Sequence, residues 1–154
     1  AEQAAGKWKV SDVMDKVVAT ANRFQSIKKL LDLFTEQRVD IVVVVDNKIP
    51  VGLVKIARLA LIDEVRLLST KIKKTRLRGS IEQGVEIGGR KILVPRVEEV
   101  MTPIDSVVGE SDDLAKAASI MLMKRISGVP VVDRYGGLVG LVTKTEIVRL
   151  ISRV

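Results

Sequence analysis

Residues 127–147 read SGVPVVDRYGGLVGLVTKTEI, and this stretch carries the main clue to the fold. Two short runs rich in β-branched residues, VPVVD and LVGLV, flank the turn RYGG, which is the pattern of a β-hairpin. Thr143-Lys144-Thr145-Glu146 follows directly and opens a segment whose apolar residues have helical spacing. The stretch therefore predicts strand, turn, strand and helix, in that order.

The same order occurs 87 residues closer to the N-terminus. VSDVM at 10–14 aligns with VEEVM at 97–101, and VVD at 44–46 aligns with VVD at 131–133. The runs IVVVVD and VGLV, joined by the turn NKIP, correspond to the hairpin of the later copy. Self-similarity at a fixed offset indicates two copies of one structural unit. Each half thus predicts a short strand, a helix, two strands and a second helix.

An amphipathic helix precedes the hairpin in each half. Its apolar residues recur at i, i+3, i+4 and i+7, the spacing of a helix that buries one face. They are Ile27, Leu30, Leu31 and Phe34 in the first half, and Leu114, Ala117, Ala118 and Met121 in the second. Second helices are predicted over about 56–68 and from Thr143 to the end of the sequence. Since so few strands cannot bury both faces of a sheet alone, the predicted fold is α/β (α+β). It has two β-α-β-β-α motifs related by a pseudo-two-fold axis, with two related clefts at their junction.

The composition argues against catalysis. The 154 residues contain no histidine and no cysteine, which removes the usual zinc ligands, the usual nucleophile–base pairs and any disulfide framework. The adjacent carboxylates Asp112 and Asp113 fit the first turn of a helix better than a metal site. We therefore expect a protein that is not an enzyme and has no metal and no catalytic cofactor.

The distribution of apolar residues bears on location. No apolar run approaches the roughly 18 residues of a membrane span, and the start AEQAAGKWKV lacks the apolar core of a signal peptide. The expectation is a cytoplasmic protein without membrane contact. Only six residues are Asn or Gln while 29% are charged, a balance that favours a thermophile source.

VEEVMTP, a helix, and then SGVPVVD-turn-LVGLVTKTEI together resemble a CBS domain, the motif named after cystathionine β-synthase. Two such motifs in tandem resemble a Bateman module. The resemblance implies a first motif at 7–68, a basic linker with a hairpin at 69–93, and a second motif at 94–154. It also implies a regulatory homodimer that acts on a separate, unknown protein partner. The implied ligand is an adenine nucleotide, with AMP the first expectation and ADP, ATP or S-adenosylmethionine the others.

The resemblance also implies which residues hold that ligand. Thr102 to Ile104 would contact the adenine, and the segment Ser127, Gly128, Val129, Pro130 would line its edge. In Thr143-Lys144-Thr145-Glu146 the Thr143 hydroxyl would bind phosphate and the Glu146 carboxylate would bind the ribose hydroxyls. The family usually has Asp at the position of Glu146, which is one methylene longer.

Thr143 and Glu146 have a second interpretation that needs no ligand. Their spacing is that of a capping box, in which each side chain satisfies a backbone N–H of the other residue. A helix N-terminus with free N–H groups is equally an anion site. The sequence leaves both interpretations open.

The first half departs further from the family pattern. Lys55 and Arg58 stand where a hydroxyl and a carboxylate are expected, so the usual site in this half is expected to be empty. Their side chains are either simply solvated or contact phosphate oxygens of a ligand.

The linker offers an alternative function. KIKKTRLR at 71–78 carries five positive charges and no negative one, as in segments that bind nucleic-acid backbones. A purely structural dimerisation module is a third alternative. VEIGGRKILV predicts a hairpin around Gly88-Gly89 that extends the first strand of the second half.

Overall fold

The computed structural model describes residues 8–59, 84–87, 90–93 and 95–153. The basic segment 71–78, most of the predicted helix at 56–68 and the tip of the hairpin at 88–89 lie outside these residues. The described elements, in chain order, are α1 Val10–Val13, β1 Thr20–Asn22, α2 Lys28–Glu36, β2 Ile41–Asp46, β3 Ile49–Lys55, α3 Ile56–Leu59, β4 Gly84–Ile87, β5 Arg90–Leu93, α4 Val97–Val100, β6 Thr102–Pro103, β7 Val108–Gly109, α5 Leu114–Lys124, β8 Gly128–Val132, β9 Leu138–Thr143 and α6 Lys144–Ser152.

The chain forms two compact units. Of the described residues, we call those within 19–46 and 51–103 the first unit, and those within 8–18, 47–50 and 104–153 the second unit. Each sequence copy therefore contributes to both units. The family-like motifs and the packed units do not coincide.

The first unit contains a four-stranded sheet in the order β1-β2-β3-β6. β1 runs parallel to β2, and β6 runs antiparallel to β3. The helix α2 packs on this sheet through the apolar stripe predicted for it, with Ile27 and Leu30 fully buried and Phe34 nearly so. The turn between β2 and β3 has positive φ at Asn47 and Lys48, which matches the two-residue turns that suit the twist of a hairpin.

The second unit contains a three-stranded sheet in the order β7-β8-β9. β7 is parallel to β8, and β8 is antiparallel to β9. The helix α5 buries Leu114, Ala117 and Met121 against the sheet. Both units thus show the predicted strand, helix, strand, strand, helix order, and the predicted mixed α and β fold is confirmed.

α1 completes the core of the second unit. Val10 is fully buried in the cluster that holds Leu114 and Val142. The N–H of Val10 donates to the Asp112 carbonyl at 2.8 Å, and the N–H of Leu114 donates to the Trp8 carbonyl at 2.8 Å. The leading helix of the first copy is therefore built into the second copy's sheet and helix.

α4 does the same in the first unit. Val97 and Val100 are buried in the cluster around Leu30. The N–H of Val97 donates to the Gln25 carbonyl at 2.7 Å, which corresponds to the Val10 bond at the repeat offset of 87 residues. The exchange of leading helices between the two copies is therefore reciprocal.

The hairpin β4–β5 pairs antiparallel from Gly84 opposite Leu93 to Ile87 opposite Arg90. The predicted hairpin is confirmed. It forms a separate two-stranded sheet, so the prediction that it extends the first strand of the second half is wrong.

Candidate functional site

The candidate site lies where β9 passes into α6 in the second unit. Thr143 keeps an extended backbone, with φ −114° and ψ 165°, and Lys144 begins the helix. The register of the hairpin places Gly128 opposite Thr143, and the N–H of Lys144 donates to the Ser127 carbonyl at 3.1 Å. Ser127 is therefore tied by its backbone to the first residue of α6.

This pairing brings most of the predicted site residues together. Gly128, Val129 and Pro130 are buried beside the end of β9. The remaining members of this group are less buried: Ser127, Thr143 and Glu146 are half-buried and Lys144 is exposed. The arrangement is the largely apolar end of the β8–β9 pair, with a hydroxyl, a carboxylate and a helix N-terminus beside it.

The Thr143 hydroxyl donates a hydrogen bond to Glu146 Oε1 at 2.6 Å. The second carboxylate oxygen, Oε2, lies 3.7 Å from the Arg149 guanidinium. The Thr143 side chain makes no capping bond to the helix backbone, so the capping box that the spacing allows does not form. Within the described part of the chain, no side chain accepts from the N–H groups of Thr145 or Glu146.

The outer edge of β9 is occupied by the segment that follows α1. Asp15 and Leu141 exchange two backbone hydrogen bonds, at 2.8 and 3.0 Å. The Met14 side chain packs over Gly140, where a Cβ would lie 2.5 Å from its sulfur. These neighbours of the site were missed by sequence reasoning. The repeat shows that VSDVM and VEEVM are equivalent, but it does not say on which copy each one packs.

Two of the predicted adenine contacts are separated by the division into units. Thr102 is exposed and belongs to the first unit, where it pairs with Leu53 of β3. Ile104 is half-buried and belongs to the second unit. Thr102 pairs with Leu53 of β3 in the same way as Asp15 pairs with Leu141 of β9. In the structure Thr102 is thus paired with the first unit's strand β3.

The corresponding position in the first unit carries the two predicted cations. Lys55 ends β3 with an exposed side chain. Arg58 also lies on the surface, but its Nε donates to the Val100 carbonyl at 3.1 Å. One of the five N–H donors of Arg58 is therefore used to hold α4.

Two open grooves lie at other places on the units. In the second unit a groove of about 440 Å³ is bordered by Gly109 to Ser111 and by Val132 to Tyr135, at the end of β8 remote from Gly128. Beside this groove the Asp112 carboxyl accepts hydrogen bonds from the backbone N–H of Gly109 and from the Lys116 ammonium. The bond from Gly109 first, and the bond from Lys116 second, hold the pKa of Asp112 below its ordinary value. In the first unit a groove of about 480 Å³ is lined in part by Phe24, Lys28 and Lys29.

The described residues include no cluster of three side chains suited to holding a metal ion. None of the helices in the described ranges has the length and apolar character needed to cross a membrane.

Comparison with protein families gives two matches along this chain. The model of the CBS domain matches residues 10–62 and again residues 97–153. The chain belongs to the CBS domain family. Its two CBS domains form a tandem pair, as the repeat and the motif at 127–147 predicted.

One curated relative matches a short part of this CBS pair. The chloroplastic CBS domain-containing protein CBSX1 of Arabidopsis thaliana is 43% identical over 53 residues, which is 34% of this chain. The match spans only 22% of that curated relative's length.

Solved structures cover nearly the whole CBS pair. The CBS domain pair of protein MJ0100, in complex with 5′-methylthioadenosine and S-adenosyl-L-methionine, is 25% identical, with a TM-score of 0.67, and covers 95% of this chain and 97% of that one. CBSX2 in complex with AMP is 29% identical, with a TM-score of 0.65 and the same coverage of both chains. CBSX2 also comes from Arabidopsis thaliana.

Proposed function

We propose that this CBS pair is a regulatory module that binds an adenosyl ligand at the N-terminus of α6. The observation that carries the proposal is the pairing of Ser127–Pro130 with the end of β9, which sets the apolar end of this strand pair beside Thr143 and Glu146. CBS pairs of the same fold are described with AMP and with S-adenosyl-L-methionine bound. The second CBS domain retains the hydroxyl and the carboxylate, and the first has Lys55 and Arg58 instead.

Each group of the proposed site has a distinct chemical task. The segment Gly128 to Pro130 would line the edge of the adenine ring, as the family resemblance implies. The half-buried Glu146 carboxylate has lone pairs left to accept from two ribose hydroxyls, in bonds about twice as strong as neutral ones. The first turn of α6 supplies free N–H groups and the positive end of the helix dipole. AMP, ADP, ATP and S-adenosylmethionine are the candidate ligands, with AMP the one expected from sequence.

Regulation would follow from differential binding. A ligand shifts a conformational equilibrium only by the difference in its affinity for the two states, so the module needs no catalytic group of its own. We propose that the regulated target is a separate protein partner and that the module acts in the cytoplasm. A homodimer is proposed through the exposed apolar side chains of α5 and α6, Leu122, Met123 and Val148, which are 79%, 81% and 63% exposed.

A thermal melt with each ligand tests the proposal. Ligand at 100 times its dissociation constant adds about 2.7 kcal/mol to the free energy of unfolding, which corresponds to a rise in Tm of about 5–10 °C for a chain of this size. We expect such a rise with at least one adenosyl ligand. Glu146→Ala should abolish it, since the ribose hydroxyls lose their acceptor.

Thr145→Ala is the matched control, because Thr145 is exposed on the same helical turn and should leave the ligand-induced rise intact. No rise with any of the four ligands would reject the proposed site. The structural dimerisation module and the nucleic-acid alternative would then be the hypotheses left to test.

A further inference from the structure

The Thr143 hydroxyl has a single proton, and that proton is directed to Glu146. The distance of 2.6 Å to Oε1 is within the range of a short charge-assisted O–H···O bond. A threonine hydroxyl has one donor and two acceptor lone pairs. While the bond to Glu146 lasts, the hydroxyl presents only lone pairs to a ligand.

A phosphate group on the ligand would meet only the lone pairs of the Thr143 hydroxyl, which repel its oxygens. Phosphate oxygens at neutral pH are acceptors, and they carry most of two negative charges. They can accept from Thr143 only if the Thr143–Glu146 bond breaks, which leaves the half-buried Glu146 carboxylate with one donor fewer. A 5′ substituent that is neutral or itself a donor meets the lone pairs without breaking any bond.

The length of Glu146 is what allows the internal bond. Its extra methylene lets the carboxylate reach back three residues to the N-cap hydroxyl. With Glu146→Asp the carboxylate retreats by about 1.5 Å, one C–C bond, which is too far to keep the contact of 2.6 Å in the same backbone. Charge repulsion from Glu146 is the weaker effect, because the Arg149 guanidinium lies 3.7 Å from Oε2 and offsets part of the negative charge.

We propose that the α6 site selects adenosine ligands whose 5′ substituent carries no phosphate, over AMP, ADP and ATP. The inference rests on the proposed function, since it concerns the ligand of that same site. It departs from the sequence-based expectation of AMP. It assigns to Glu146 a second task besides accepting from the ribose, namely that of holding the Thr143 proton.

Isothermal titration of the full chain with 5′-methylthioadenosine, S-adenosylmethionine and AMP tests the selectivity. We expect AMP to bind about tenfold or more weakly than 5′-methylthioadenosine, the factor that corresponds to one charge-assisted hydrogen bond. In Glu146→Asp the freed hydroxyl can donate to phosphate, so the ratio of the two dissociation constants should fall by about tenfold.

Glu146→Gln distinguishes the effect of the Thr143–Glu146 hydrogen bond from the effect of the Glu146 charge. The Gln carbonyl oxygen still accepts from Thr143, so the ratio should stay within about threefold of the original. An equal gain in AMP affinity in both variants would assign the selectivity to charge and overturn the inference. AMP binding the unmodified chain as tightly as 5′-methylthioadenosine would overturn it too. Binding of none of the three ligands would instead reject the proposed function itself.

Glu110→Asp, on an exposed loop of the same unit, makes the same chemical change away from the site and should not alter the ratio.

Discussion

At Gly140 the fold leaves no room for a side chain. A Cβ there would lie 2.5 Å from the Met14 sulfur and 3.2 Å from the Asp15 carbonyl oxygen. The flexible thioether can move but the backbone oxygen cannot do so easily. Gly52 is in the same situation under Met101 in the first unit, so the contact between methionine and glycine occurs once in each unit.

We expect Gly140→Ala to lower the free energy of unfolding by about 1–3 kcal/mol, the usual cost of overpacking. Urea denaturation measures the loss. Gly137→Ala is the control, because its Cβ would meet nothing closer than an Asp133 oxygen at 3.4 Å.

Adding Met14→Ala to Gly140→Ala should recover part of the loss, since the sulfur that clashes is removed. A double variant whose destabilisation equals the sum of the two single losses would contradict the contact.

At the residue scale the sequence predicted which strands and which helix lie together, but not the hydrogen bond between Thr143 and Glu146. The pattern at 127–147 predicted two paired strands followed by a helix, and in the structure this pairing sets Gly128 opposite Thr143, at the start of α6. The direction of the Thr143 proton was not predictable. The same two residues fit a reciprocal capping box equally well, and only the side-chain conformation distinguishes the box from the observed bond.

At the scale of elements, the reciprocal exchange of α1 and α4 between the two copies can be tested directly. Val10 lies in the first copy of the repeat but is fully buried in the core of the second unit. Val10→Ala should therefore lower the free energy of unfolding by about 1–3 kcal/mol through a cavity in that core.

Hydrogen exchange would show where the Val10→Ala effect lies. Amides of α5, β8 and β9 should lose protection, because local stability follows the packing around each element. Ser11→Ala is the matched control in the same helix, since Ser11 is exposed. A loss of protection confined to α2 and β2 would show that α1 packs with its own copy and would contradict the exchange.

Element type and order were predictable from periodicity, but the exchange was not. The apolar spacing of 3.6 residues gave α2 and α5, and the paired β-branched runs gave the two hairpins. VSDVM and VEEVM are nearly interchangeable sequences with the same buried valine at the first position. Either one would suit either core by its apolar pattern, so only the path of the chain decides which core each one completes.

At the scale of the whole molecule, each unit is built from two distant parts of the chain. The second unit needs residues 8–18 as well as residues 104–153, and the first unit needs residues 95–103 as well as residues 19–59. A chain divided anywhere between residues 60 and 83 would leave each piece with one leading helix that belongs in the other piece's unit.

We therefore expect residues 1–75 and 76–154, encoded as two chains and expressed together, to assemble with each other. A tag on the first chain should recover the second in nearly equal amount, because Val10 and Val97 each fill a core formed mainly by the other chain. Val10→Asp in the tagged chain should reduce this recovery severalfold, since an unpaired charge would enter an apolar core. Ser11→Asp, one residue along on the exposed side of α1, should not reduce it. Two chains that fold and purify separately would show that each CBS domain closes its own core, and the reciprocal exchange of helices would then be wrong.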